Sequence, residues 1–229
     1  MKYISLLALL LVSFFSFADD KTVAEISKIE GPVRMMATTD IKKQKAQEGD
    51  QLKAGDIVIT GPNGRAKLKM FDGSLIVLDP KSHITLNSKQ EIKQNEGKSY
   101  YKIRKRNKNN KIRVVTNFVV IGVKGTSFVV SADENDKRIT MNQGLVNVQS
   151  LDKEFELYRL NEEEEFSHFQ KEMKDGFNTY QREFKKEFAE FVKSFDLSEG
   201  KSIAFDGNKT IESRNSQEIE AEIKHFESF

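Results

Sequence analysis

Residues 60–79 read TGPNGRAKLKMFDGSLIVLD, and their pattern decides the fold. Thr60 to Gly64 is turn chemistry, with Gly-Pro and Asn-Gly close together. Ala66, Leu68 and Met70 then alternate with Arg65, Lys67 and Lys69, the period-two signature of a strand with one wet face. Asp72-Gly73 predicts a hairpin, because both residue types tolerate the positive φ of tight turns. Leu75 to Leu78 is apolar on both faces and so reads as an interior strand.

Working outward, Val23–Ile29 and Val33–Met36 flank a turn at Gly31-Pro32. Gly49-Asp50 and Gly55-Asp56 mark two turns around Leu52, and Ile57–Ile59 is a short buried strand leading into the central stretch. Beyond Asp79-Pro80, Ile84 and Leu86 alternate with His83 and Thr85, which puts His83 on an exposed face. Tyr101, Ile103, Ile112 and Val114 bracket KIRKRNKNNKIR, predicting a β-hairpin with a polar tip at residues 107–110. Val114–Val123 and Thr126–Val130 read as strands around Gly122 and Gly125. Ile139–Met141 and Leu145–Val148 form a closing pair around Asn142-Gln143-Gly144. Many short strands with turn signals between them predict a mainly β protein, with an all-β domain over residues 19–152 built as a sandwich or a solenoid.

Residues 1–18 have the marks of a signal peptide. Lys2 supplies the positive charge, Ile4–Phe17 the short apolar run, and Ser16-Phe17-Ala18 a small-x-small cleavage site. The run falls short of the roughly 20 apolar residues of a membrane span, and no later segment reaches that length. The chain has no cysteine, so disulfides, zinc-thiolate sites and thiol catalysis are excluded. Residues 19–152 hold 24 Lys/Arg against 16 Asp/Glu, whereas residues 153–229 hold 12 against 19. That asymmetry fits either ordinary solvation or an acidic tail docked on a basic body.

The run from Gly49 to Leu86 and the later TNFVVIGVKGTSFVV and NQGLVNV together resemble the FecR domain family. The resemblance rests on an ordered set: Gly55-Asp56, Thr60-Gly61 with Gly64-Arg65-Ala66, Asp72-Gly73-Ser74, Pro80-x-Ser82, and Gly125-Thr126-x-Phe128. It covers residues 23–150 and implies an extracytoplasmic β-domain. Asn117 and Lys124 stand where the family often has Pro and Arg. The iron-uptake regulators of that family carry a sigma-factor-binding segment and a transmembrane helix ahead of the domain; neither is read here, so sigma-factor control is not carried over. Gly64, Gly73 and Gly125 suit turns or close backbone approach, and Asp72 and Ser74 suit local turn bonds. Gly55, Asp56, Gly64, Arg65, Asp72, Gly73, Ser74, Gly125 and Thr126 are accordingly expected to be structural.

The C-terminal third suggests helix. Asn161 and Glu164 form a capping box, and an eleven-residue repeat places Phe166, Phe169, Phe177, Phe184, Phe188, Phe191 and Phe195 on one stripe. A long amphipathic helix is expected over residues 159–197, about 50 Å long from Glu162 to Asp196. A polar linker over 198–215 and a short helix from Ser216 to Phe226, with Ile219, Ile223 and Phe226 on one face, would complete the chain. The stripe would pack on the β-domain, on the short helix or on another molecule.

No HExxH, nucleophile elbow or calcium-loop motif occurs, and the three histidines lack metal-ligand spacing. No catalytic residue, cofactor or metal site is expected. The one polar patch that suggests binding is Lys102, Arg104, Lys105, Arg106, Lys108, Lys111 and Arg113, with no acid among them. It suits a polyanion, or else simply blunts a sheet edge. The sequence therefore predicts a non-catalytic binding or sensory module, exported to the bacterial periplasm. Its expected partner is an envelope protein or anionic envelope polymer, not nucleic acid. The alternative is a structural protein that self-assembles through the phenylalanine-striped helix.

Overall fold

The computed structural model describes residues 22–40, 42–105, 111–160 and 189–229. The expected signal peptide, the hairpin tip and the stripe from Phe166 to Phe188 lie outside these residues. The first strands are β1 (Thr22–Glu30), β2 (Val33–Met36), β3 (Gln44–Lys45), β4 (Gln51–Lys53), β5 (Ile57–Thr60), β6 (Arg65–Met70) and β7 (Leu75–Leu78). There follow β8 (His83–Ser88), β9 (Glu91–Glu96), β10 (Lys98–Lys102), β11 (Ile112–Val115), β12 (Val119–Val123), β13 (Ser127–Asp133) and β14 (Asp136–Gln143). The last are β15 (Leu145–Ser150), β16 (Phe155–Tyr158), β17 (Ala189–Val192), β18 (Ser194–Ser198), β19 (Lys201–Asp206) and β20 (Lys209–Arg214), before helix α1 (Gln217–Ser228).

These strands form two sheets. One has eleven strands in the order β17-β16-β20-β19-β14-β13-β10-β7-β6-β1-β4; the other has nine, β18-β15-β12-β11-β9-β8-β5-β2-β3. Their inner faces share one apolar core, with Ile26, Leu68, Ile76 and Phe128 from the larger sheet and Val58, Leu86, Ile121 and Leu197 from the smaller. Both strand orders broadly follow the chain, which crosses repeatedly from one sheet to the other. The molecule is thus a sandwich filled progressively along its length, as a solenoid would be.

The central stretch folds as its pattern predicts. On β6, Ala66, Leu68 and Met70 are buried and Arg65, Lys67 and Lys69 lie on the other face. The β6–β7 hairpin pairs Lys69 with Leu75, and Gly73 alone takes left-handed backbone in it, at φ 79°. The Gly73 N–H donates to Met70 O at 2.9 Å, so Phe71 and Asp72 turn the corner. Strand β7 is buried on both faces, as are most of β10 and β13.

Four expectations are corrected. First, the long helix does not run to Asp196: Ala189–Val192 and Ser194–Ser198 are strands at the edges of the two sheets. Phe195 and Leu197 are two apart and both buried, a strand spacing that the eleven-residue repeat masks. Phe191 is 66% exposed on β17. The self-assembly alternative loses this end of the helix it relied on. Second, residues 198–215 are not an irregular linker but hold β19 and β20, whose Ile203 and Phe205 complete the core. One short helix, α1, is the only helix among the described residues. Third, residues 102–113 do not join a hairpin: β10 pairs with β7 and β13 in the larger sheet, β11 with β9 and β12 in the smaller. Fourth, His83 is half-buried, with Nε2 lacking a hydrogen-bond partner, and burial holds its pKa below the ordinary value.

An aromatic cluster ties these late strands to the rest. Phe155 meets Phe195 edge-on at 5.3 Å between ring centres, and Phe205 lies 4.9 Å from Phe118 and 5.9 Å from Phe155. Phe195→Ala should therefore lower stability by about 3–5 kcal/mol in urea unfolding. A loss under about 1 kcal/mol would mean that β18 does not share the core.

Candidate functional site

Several of the motif residues act as braces. Asp56 is buried and its two carboxylate oxygens accept from Thr38 N at 3.0 Å and Lys53 N at 2.8 Å. Asp72 accepts from Ser74 N at 3.0 Å and Ser74 Oγ at 2.8 Å, while Ser74 Oγ accepts from Arg104 N at 3.1 Å. The Thr60 hydroxyl donates to Asp79 O at 2.6 Å and accepts from Ser82 N at 2.8 Å. Ser82 Oγ in turn donates to Lys98 O at 2.9 Å and accepts from Lys98 N at 3.1 Å. These bonds link β5 of one sheet to β10 of the other. Gly64 permits a close approach: a Cβ there would lie 2.1 Å from Pro32 O. Gly55 and Gly125 occupy the turns before β5 and β13, and Gly125 lies against Lys105. The Thr126 hydroxyl is buried without a hydrogen-bond partner.

Inside the sandwich, Gln94 is fully buried and fully bonded. It accepts from Tyr101 Oη at 2.8 Å and donates to Gly97 O at 2.8 Å and Val130 O at 3.1 Å. Burial drives the Tyr101 phenol well above its ordinary pKa, so it stays a neutral donor.

The outer face of the larger sheet carries a second apolar cluster, separate from the core. Val77, Tyr100 and Val129 lie in register on β7, β10 and β13, and α1 covers them with Ile223, Phe226 and Phe229. Sequence reasoning found α1 and its apolar face but not this seat. The Ser216 hydroxyl caps the helix by accepting from Ile219 N. Tyr100 stacks on Phe226 at 5.9 Å and donates to Glu227 at 2.8 Å. Lys98 pairs with Glu222 at 2.5 Å, and Lys102 stands 4.0 Å from Glu227. The Phe229 ring lies under Arg65 and Lys28, each 4.3 Å from its centre, with Lys67 at 5.6 Å. Arg65, a motif residue, also sits 3.0 Å from Asp79, an ion pair by distance but not an aligned hydrogen bond. Burial raises the Asp79 pKa, and its effect outweighs the opposing pull of Arg65 and Lys98. The acidic helix is thus docked on a basic sheet face.

The basic segment is distributed rather than gathered. Lys102 is on β10 and faces Glu227; the Arg104 side chain folds over Gly73. Arg113 is on β11 and pairs with Glu91, whose pKa is lowered by hydrogen bonds from Asn87 and Arg113. Lys105 and Lys111 are exposed on either side of residues 106–110; Arg106 and Lys108 lie outside the described residues. Near the β4 edge, an open groove of about 830 Å³ is lined by Met35, Thr38, Gln51, Lys53 and Ser88, with the braced Asp56 in its wall. Among the described residues no cluster of three His, Asp or Glu side chains is placed to hold a metal ion, and no helix is long and apolar enough to cross a membrane.

The family model described as FecR protein matches residues 56–147, and the chain carries that domain there. The match runs from β5 into β15, so β16–β20 and α1 lie beyond it. Two crystal structures from Parabacteroides distasonis ATCC 8503, each described as a "putative anti-sigma factor", match at 11% and 12% identity with TM-scores of 0.48 and 0.47. Each match covers 70% of this chain and 60% of the solved one. No curated protein matches the chain.

Two measurements check this geometry. Ser82→Ala should cost about 1–3 kcal/mol, because it strands the Lys98 backbone groups that Ser82 satisfies. Burial and the Glu227 bond push the Tyr100 pKa up to about 12 from its ordinary 10.0. A phenol raised in this way favours its neutral form in the folded protein. It therefore leaves stability unchanged below pH 10 and lowers it as pH rises from 10 through 12. In an alkaline absorbance titration, Tyr100→Phe should remove a tyrosine ionising near pH 12, and Glu227→Gln should bring that midpoint down. An unmoved midpoint in Glu227→Gln would mean that α1 does not sit on Tyr100.

Proposed function

We propose that this chain is a non-catalytic sensory or regulatory module of the bacterial cell envelope. It is exported to the periplasm and recognises an envelope protein or anionic polymer there. The FecR domain supports the sensory reading. The observation that carries the non-catalytic part is the engagement of the motif side chains. Asp56, Asp72, Ser74, Thr60 and Ser82 all bond neighbouring backbone or each other, which is the work of a frame. A frame of this kind holds surfaces in fixed positions, and recognition then resides in those surfaces.

The segment from Lys102 to Arg113 is the place for an anionic ligand. Lys105 and Lys111 are exposed there, where the chain passes from β10 of the larger sheet to β11 of the smaller. In-cell crosslinking from Lys105 or Lys111 should capture envelope material. Lys105→Glu with Lys111→Glu should weaken retention of the purified chain on anionic vesicles or acidic glycan by about tenfold at low salt. Salt at about 0.5 M should do the same to the unaltered chain. Binding that ignores both changes would remove the polyanion as ligand.

A further inference from the structure

We propose that the outer face of the larger sheet is a docking groove for an acidic amphipathic helix of a partner protein, and that α1 fills this groove in cis until such a helix displaces it. The inference rests on the binding-module reading and adds the chemistry of the partner. Without α1, the face is an apolar strip of Val77, Tyr100 and Val129 flanked by lysines and Arg65. An apolar strip with a cationic border fits an amphipathic helix that presents aromatic side chains and carboxylates together. That is the chemistry α1 itself brings, through Phe226, Phe229, Glu222 and Glu227.

Three observations make α1 a detachable occupant. Its apolar contacts form a cluster apart from the main core, so its departure leaves the sandwich filled. A helix of 12 residues has little stability of its own and depends on the seat. The Lys98–Glu222 pair has side chains 28% and 37% exposed, within reach of screening salt.

The seat is also imperfectly matched. Nη2 of Arg65, whose guanidinium stacks on the Phe229 ring just past α1, is buried with no hydrogen-bond acceptor. The Ser131 hydroxyl, on the same face and opposite Lys98, is buried without a partner as well. Buried polar groups are ordinarily satisfied, and each one left unpaired disfavours the state that holds it. A partner helix with a carboxylate or amide at these points would satisfy both and gain an advantage over α1. The tether limits exchange between two copies: Asn215, next to the helix cap, donates to Met141 O at 2.8 Å and accepts from Ser202 Oγ at 2.6 Å.

The test uses the full chain and, as probe, a labelled peptide of residues 215–229. In Ile223→Ser/Phe226→Ser the helix face is lost while the sheet face is intact. This variant should bind the peptide at least about tenfold more tightly than the unaltered chain, because the cis competitor is gone. Adding Lys98→Glu should weaken that binding, and a peptide carrying Glu222→Lys should restore it. In the unaltered chain, hydrogen exchange at residues 217–228 should run at least about tenfold faster than in β10, the sign of opening without global unfolding. Should the double variant fail to fold, this exchange measurement decides. Equal exchange in α1 and β10, no peptide binding to the folded variant, or equal binding to both chains would overturn the groove. A variant that dimerises instead would assign the groove to a second copy and reject the partner. Envelope crosslinks from Lys105 that persist in any of these cases would leave the binding-module reading standing.

Discussion

Strands that are apolar on both faces must be covered on both sides, and that requirement organises this molecule. β7, β10 and β13 carry Ile76, Leu78, Tyr101, Phe128 and Val130 inward and Val77, Tyr100 and Val129 outward. Burying one such side chain is worth about 1.5–3 kcal/mol, so neither row is left to water. The smaller sheet covers the inner row and α1 the outer. The sandwich and the helix are two answers to one demand made by three adjacent strands.

A stack of strands in two sheets also has to join its layers without stranding backbone polar groups at the crossings. Short hydroxyl and carboxylate side chains do this here. Thr60 and Ser82 pass hydrogen bonds from β5 to β10, and Asp56 holds two backbone N–H groups in the turns beside it. The motif residues that carry the FecR resemblance therefore serve chiefly to join the layers. Among the buried polar groups left unpaired, Arg65 Nη2 and Ser131 Oγ lie on the outer face of the larger sheet, while Ser99 Oγ, Thr126 Oγ1 and His83 Nε2 lie elsewhere.

Charge reinforces the division. Lysines and Arg65 border the outer apolar row, and the glutamates of α1 meet them. The positive excess of residues 19–152 and the negative excess of residues 153–229 are, in this part of the molecule, two halves of one contact. The basic segment around Lys105 and Lys111 remains outside it.

Local periodicity by itself determined the strands of the central stretch, its glycine turn and the presence of α1. Alternation at Arg65–Met70 and a capped apolar face at residues 216–226 each admit one local conformation. It also showed that Leu75–Leu78 would be covered on both sides, without saying by what. Only the tertiary structure decided which sheet each strand joined. A period of two is satisfied equally by a partner in either layer, so Tyr101 and Ile112 read as one hairpin although they belong to different sheets. The same limit governed the late strands. Phe191 and Phe195 are spaced four apart, which suits a helix, while Phe195 and Leu197 are spaced two apart, which suits a strand. The open core beside Phe155 and Phe205 selected the strand, because burial there depends on residues far away in the chain.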